Sequence, residues 1–236
     1  MKYFNPDDLC YSGEYVKEIQ NVKFTVKIDP DHSYDTPWNN GDGNGIVSDR
    51  VQRAKRPGER LLQQDSGWSL YYDFKATVQR ATADGWGISP DRIERLASNL
   101  KREPTKREII VAAVEQDFQH LKEYCNGDWC YVFVNVKAPA IPEFNVPEFC
   151  EWIGGIESTD TECIAEYANQ YITDHVTDIC IAQLDIERKK RHMLSLVASV
   201  AQHLHHAPAQ VLLDFGTICQ AAGVEFKGAG DARGTA

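Results

Sequence analysis

TKREIIVAAVEQDFQHLKEYCNGDWCYVFVNV, residues 105–136, holds a capped helix, a turn and the most apolar strand of the chain, and the fold is read outward from it. Thr105-Lys106-Arg107-Glu108 has the form of a capping box. The threonine oxygen takes one free N–H of the first turn while the glutamate reaches back to the threonine amide. Ile110, Ala113, Val114, Asp117, Phe118, Leu121 and Cys125 follow at helical spacing, all apolar but Asp117, so one stripe should face a core. Asn126-Gly127 tolerates positive φ and ends the helix. Residues 129–136 are rich in β-branched and aromatic side chains with nothing polar before Asn135. That composition predicts an interior strand covered on both sides and buried by the helix that starts at Thr105.

Upstream, Val22, Phe24, Val26 and Ile28 alternate with Lys23, Thr25 and Lys27, the pattern of a half-buried strand with a solvated lysine face. Pro30, Pro37, Gly41, Gly43 and Gly45 then mark a long surface loop. Within it, Asn40-x-Asp42-x-Asn44-Gly45 has the oxygen-donor spacing of half a calcium loop. The twelfth position is Val51 rather than a bidentate glutamate, so a glycine-rich turn is expected in its place. Ser69 is positioned to cap a helix carrying Tyr71, Phe74, Val78 and Ala81, closed by Gly85. Ser89-Pro90 opens another, with Ile93, Leu96, Ala97 and Leu100 inward.

Downstream, residues 149–156 form a further strand that Gly154-Gly155 breaks or bulges. Thr159-x-x-Glu162 caps a helix with Ile164, Ala168, Tyr171, Ile172, Val176 and Ile179 inward. Its periodicity continues through Met193, Leu196, Val200 and Leu204, with a break expected within residues 173–178, where helix-poor residues cluster. A last short helix, residues 208–222, should bury Val211, Leu212, Phe215 and Ile218. The expected fold is α+β: a small antiparallel sheet packed by helices over residues 1–178, a helical C-terminal extension over 179–226, and a disordered Gly/Ala-rich tail over 227–236.

A net charge of −10 argues against capture of nucleic acid by the whole surface, because that depends on neutralising phosphates. Local cationic patches remain: Arg50, Arg53, Lys55, Arg56 and Arg60 around Pro57-Gly58, and Arg188-Lys189-Lys190-Arg191 on the long helix. Each is read either as a solvated face or as a contact for phosphate or an acidic partner. Cys125 and Cys130 with His120, and His203 and His206 with His192, are the nearest approaches to metal-ligand spacing, and neither completes a site. No catalytic residue, metal or cofactor is assigned: phosphate loop, nucleophile elbow and HExxH helix are all absent from the sequence. Seven cysteines without framework spacing fit a reducing compartment. Residues 1–16 lack the basic start and apolar run of a secretory signal, and no run reaches membrane-spanning length.

Pro57-Gly58-Glu59-Arg60, Tyr71-Tyr72-Asp73, Asp84-Gly85-Trp86-Gly87, Ala113-Val114-x-x-Asp117-Phe118-x-x-Leu121 with Trp129 and Val132, and Gly155-Ile156-Glu157-Ser158 together resemble an uncharacterised family of tailed-phage proteins over residues 22–177. The resemblance implies a phage origin and a place in the host cytoplasm, and it carries no catalytic residue with it. The expectation is a non-enzymatic phage accessory protein that binds a host or phage macromolecule, for instance to counter a bacterial defence system. A nucleic-acid-binding module using the two cationic patches is the alternative, and a metal-dependent hydrolase built on aspartates or histidines is a third. Partners are therefore a host or phage protein or nucleic acid, no membrane, and a second copy through the C-terminal helices.

Overall fold

The structure, a computed structural model, describes residues 2–10, 12–40, 43–203 and 209–221. Along them run β1 (Gly13–Ile19), β2 (Val22–Pro30), β3 (Glu59–Asp65), β4 (Trp68–Asp73), α1 (Phe74–Asp84), α2 (Pro90–Leu100), α3 (Lys106–Asn126), β5 (Tyr131–Ala138), β6 (Phe149–Glu157), α4 (Thr161–His203) and α5 (Ala209–Ala221). Two compact units divide the chain, residues 1–137 with 150–170 and residues 138–149 with 171–236. The fold is α+β, as expected from the pattern of elements.

An antiparallel sheet in the order β1-β2-β5-β6 makes β5 an interior strand. Val26 lies opposite Val136 and Ile28 opposite Val134, so the buried residues of both strands share one face. The other face of β5 is covered only at its start: Tyr131 is buried, Phe133 and Asn135 are half-buried and Lys137 is exposed. The expected covering on both sides is thus corrected to one full side. In β6 the break at Gly154-Gly155 takes the form of a positive φ of 74° at Gly155, whose N–H donates to Asp31 Oδ2 at 3.2 Å.

α3 starts where its capping box predicts, with Thr105 Oγ1 accepting from Glu108 N and Glu108 Oε2 accepting from Thr105 N at 2.8 Å. Its stripe is directed elsewhere than expected. Ile110, Val114, Phe118 and Leu121 pack with Leu62 and Leu70, Tyr72 and Ala81, that is with the β3-β4 hairpin and α1. At β5 the helix contributes Tyr124, whose ring lies 4.9 Å from Trp129 and 6.2 Å from Tyr131.

Two further expectations are overturned. Ser69 does not cap a helix: it lies inside β4, antiparallel to β3, and α1 begins at Phe74, capped by Asp73, whose carboxylate accepts from Ala76 N at 2.8 Å. The run of Trp68, Leu70, Tyr71 and Tyr72 suits a pleated strand better than a helical turn. Nor does α4 break within residues 173–178. Thr177 Oγ1 donates to Thr173 O at 2.8 Å, which satisfies the hydroxyl without interrupting the helix.

Within the second unit Ile172, His175, Val176, Ile179 and Cys219 are buried, and Phe149 stacks on His175 at 4.3 Å. Val211, expected inside, is exposed. Leu204, Pro208, the side chains of Leu212 and Ile218, and the tail from Lys227 lie outside the described residues.

Candidate functional site

The first cationic patch separates in three dimensions. Glu59, buried at the start of β3, takes both guanidinium nitrogens of Arg53 (Nη1 to Oε2 2.7 Å, Nη2 to Oε1 2.6 Å) and the Arg56 backbone N–H at 2.7 Å. That forked pair holds the Glu59 carboxyl down at about 2, from an ordinary 4.5. The Arg53 guanidinium also lies 5.1 Å from the Tyr71 ring centre, and Tyr71 Oη donates to Arg53 O at 2.9 Å. Arg60 donates to Glu115 Oε2 at 2.6 Å and lies 3.6 Å from the Phe74 ring centre. Arg53 and Arg60 therefore fasten β3 to its neighbours. Lys55 and Arg56 are exposed, while Arg50 opens onto a cleft.

That cleft, about 520 Å³, is bounded by Thr36 and Trp38, by Arg50, by Gln63 and by Tyr124 and Trp129. Beside Gln63 and Leu70 of the β3-β4 hairpin, three segments wall it. Residues 47–51 lie along β4, with Ser48 N donating to Tyr71 O at 2.8 Å and Val51 N to Ser69 O at 2.9 Å. Trp38 meets Tyr124 edge-on at 5.9 Å. The α3-β5 turn supplies Trp129, whose indole N–H donates to His120 O at 2.9 Å and whose ring stacks on His120 at 4.4 Å.

His120 belongs to a second cluster that no single stretch of sequence announces. Its Nε2 lies 3.0 Å from Glu157 Oε1, and this partner raises the imidazole pKa against the opposing effect of burial. One turn earlier on α3, Asp117 Oδ2 accepts from Tyr72 Oη at 2.5 Å and from Gly45 N at 2.9 Å. Asp117 and His120 share a 340 Å³ hollow with Asn44, Trp86 and Gln116. Tyr72 with Asp117, Glu157 with His120, and Ser158 Oγ with Cys130 N (3.1 Å) each bind one motif of the scattered pattern to a distant segment. Burial raises the Cys125 thiol to about 11, so it stays protonated at neutral pH.

Arg188, Lys189, Lys190 and Arg191 stand exposed on α4. Among the described residues no group of three or more His, Cys, Asp or Glu could hold a metal ion. Of the histidines with metal-like spacing, the His203 side chain, His205 and His206 lie outside the described residues, as does Asp42 of the calcium-like turn. No described helix is long and apolar enough to cross a membrane. Neither a family model, nor a curated protein, nor a solved structure matches this chain.

Proposed function

We propose that this protein acts by binding an acidic macromolecular partner through the exposed length of α4, as a phage accessory protein working on a host or phage protein in the host cytoplasm. The observation that supports this reading is the state of residues 180–200. None of them is buried, yet Ile181, Leu184, Met193, Leu194, Leu196 and Val200 are 43–61% exposed. Exposed apolar residues in such number are a mark of an interaction surface. The four cations from Arg188 to Arg191 interrupt them, which favours a partner carrying acidic side chains beside apolar ones.

The test is capture of tagged full-length protein from infected host cells, with Arg188→Glu/Lys190→Glu and Leu196→Asp variants beside it. The reading requires one stoichiometric partner that both variants lose. A partner retained by both variants, or turnover of a nucleotide or nucleic acid by the purified protein, overturns it. Nuclease-sensitive capture with a steep salt dependence would instead favour phosphate contact by the same cations. Association that rises with protein concentration in sedimentation would assign the surface to a second copy.

A further inference from the structure

With α4 read as a partner-binding surface, on which the following rests, we infer that the partner presents an amphipathic helix in coiled-coil register. Its apolar side chains would lie along a seam of Ile186, Met193 and Val200, and its carboxylates against Lys189 and Lys190.

Ile172, Ile179, Ile186, Met193 and Val200 follow one another at intervals of seven along α4. A straight helix at 3.6 residues per turn drifts off such a repeat, so a strict seven kept over several intervals is the mark of a seam facing another helix. Exposure rises along it. Ile172 and Ile179 are buried in the core of the second unit, Ile186 is half-buried, and Met193 and Val200 are 43% and 44% exposed. Leu196, three residues after Met193, adds to the open side at 48% exposed. The stripe that packs the core therefore runs on uncovered, although α5 belongs to the same unit. From Ile186 to Val200 the open stretch spans about 21 Å, or about four turns of a partner helix.

The cations choose the occupant. Exposed Lys189 takes the second seam position of its heptad, where Ala182 and Leu196 stand in the heptads on either side, and exposed Lys190 follows at the edge. A cation at such a position selects its partner, because it is destabilising unless a carboxylate lies opposite. Among the described residues none of the four cations at 188–191 is in an ion pair, although Asp185 and Glu187 lie within about a turn. A second copy does not supply the carboxylates. The cations lie midway between Ile186 and Met193. A copy laid along the seam, parallel in register or antiparallel with Ile186 opposite Met193, therefore sets cations against cations. A nucleic acid would meet the cations and leave Met193, Leu196 and Val200 in water. An acidic amphipathic helix meets both.

The experiment titrates the full-length protein with fluorescein-labelled three-heptad peptides that share leucine at the outer seam positions. One carries glutamate at the central seam position and along its edges, the other lysine, and binding is followed by anisotropy and far-ultraviolet circular dichroism. The acidic peptide should saturate with a gain of helix, the basic one at least tenfold more weakly. Met193→Asp should weaken the acidic peptide at least tenfold, and Lys189→Glu/Lys190→Glu should reverse the preference. Leu194→Asp, 50% exposed but off the seam, should leave binding unchanged. All these positions are exposed, so the variants themselves should keep the wild-type circular dichroism. Equal binding of a scrambled acidic peptide, an equal loss in Leu194→Asp, or no saturation by the acidic peptide overturns the helical seam. Dimerisation of the wild type that Met193→Asp abolishes overturns it as well and gives the seam to a second copy. If the seam fails, a partner captured from infected cells and lost in Leu196→Asp keeps α4 as the binding surface and discards only the helix. Capture that is indifferent to Leu196→Asp discards the surface too.

Discussion

Tyr72 Oη donates to Asp117 Oδ2 at 2.5 Å, joining β4 to α3 through a phenol that is itself fully buried. The same carboxylate oxygen accepts from Gly45 N at 2.9 Å, so one acid fixes the hairpin, the helix and the end of the glycine-rich loop. Burial, and then the adjacent carboxylate, push the Tyr72 hydroxyl above the ordinary tyrosine range and keep it a donor.

Tyr72→Phe removes the donor and leaves Asp117 with the Gly45 amide. The expected loss is about 1–3 kcal/mol, read as a lower urea midpoint at unchanged slope. Burial raises the Asp117 carboxyl, so the native state holds its proton to higher pH than the unfolded chain. This group therefore lowers stability as pH rises from the ordinary carboxylate range through its raised value. Asp117→Asn should flatten that segment of the pH profile, and a variant whose profile matches the wild type would refute the assignment.

Glu59 has the opposite sign. Its folded value of about 2 lies below the ordinary 4.5, so its contribution is complete above about 4.5 and is lost as pH falls toward 2. Glu59→Gln strips the forked pair from a buried position at about 1.5–3 kcal/mol. Acid unfolding of the variant should show a smaller dependence on pH across that window, measured by circular dichroism from pH 5 to 2.

The His120–Glu157 pair should be visible in imidazole proton shifts. Glu157 raises the His120 pKa, so the pair's contribution is present below the unfolded value of about 6.5 and disappears as pH rises through the folded one. Glu157→Gln should move the His120 titration midpoint down. A midpoint that stays in place would mean that the 3.0 Å contact does not form in solution.

The local signals around α3 and β5 were legible because caps, αL glycines and apolar runs act over a few residues. Thr105, Glu108 and Gly127 occupy the cap positions that their chemistry predicts. β1 went unrecognised because it is an edge strand whose Val16 and Lys17 are both exposed, which erases the alternation. In β3 a register shift between Leu61 and Gln63 leaves Leu61 39% exposed and Leu62 buried, so two adjacent leucines conceal the period of two. The cationic patch at residues 50–60 read as uniform, but its acids decide its fate. Glu115 is 55 positions from Arg60, and no local pattern joins them. The same holds for His120 and Glu157, 37 positions apart.

α4 carries the last prediction, because its two halves should answer oppositely to substitution. Ile172 and Ile179 are buried, and truncation to alanine removes packed methylenes and leaves cavities, at about 2–5 kcal/mol each. Leu196 and Val200 are 48% and 44% exposed, so aspartate there loses little of the native core. Thermal unfolding of the four single variants should therefore separate into two strongly lowered midpoints and two near wild type. A large drop in Leu196→Asp or Val200→Asp would mean that these side chains are covered in solution. Sedimentation of the wild type would then show whether a second copy covers them.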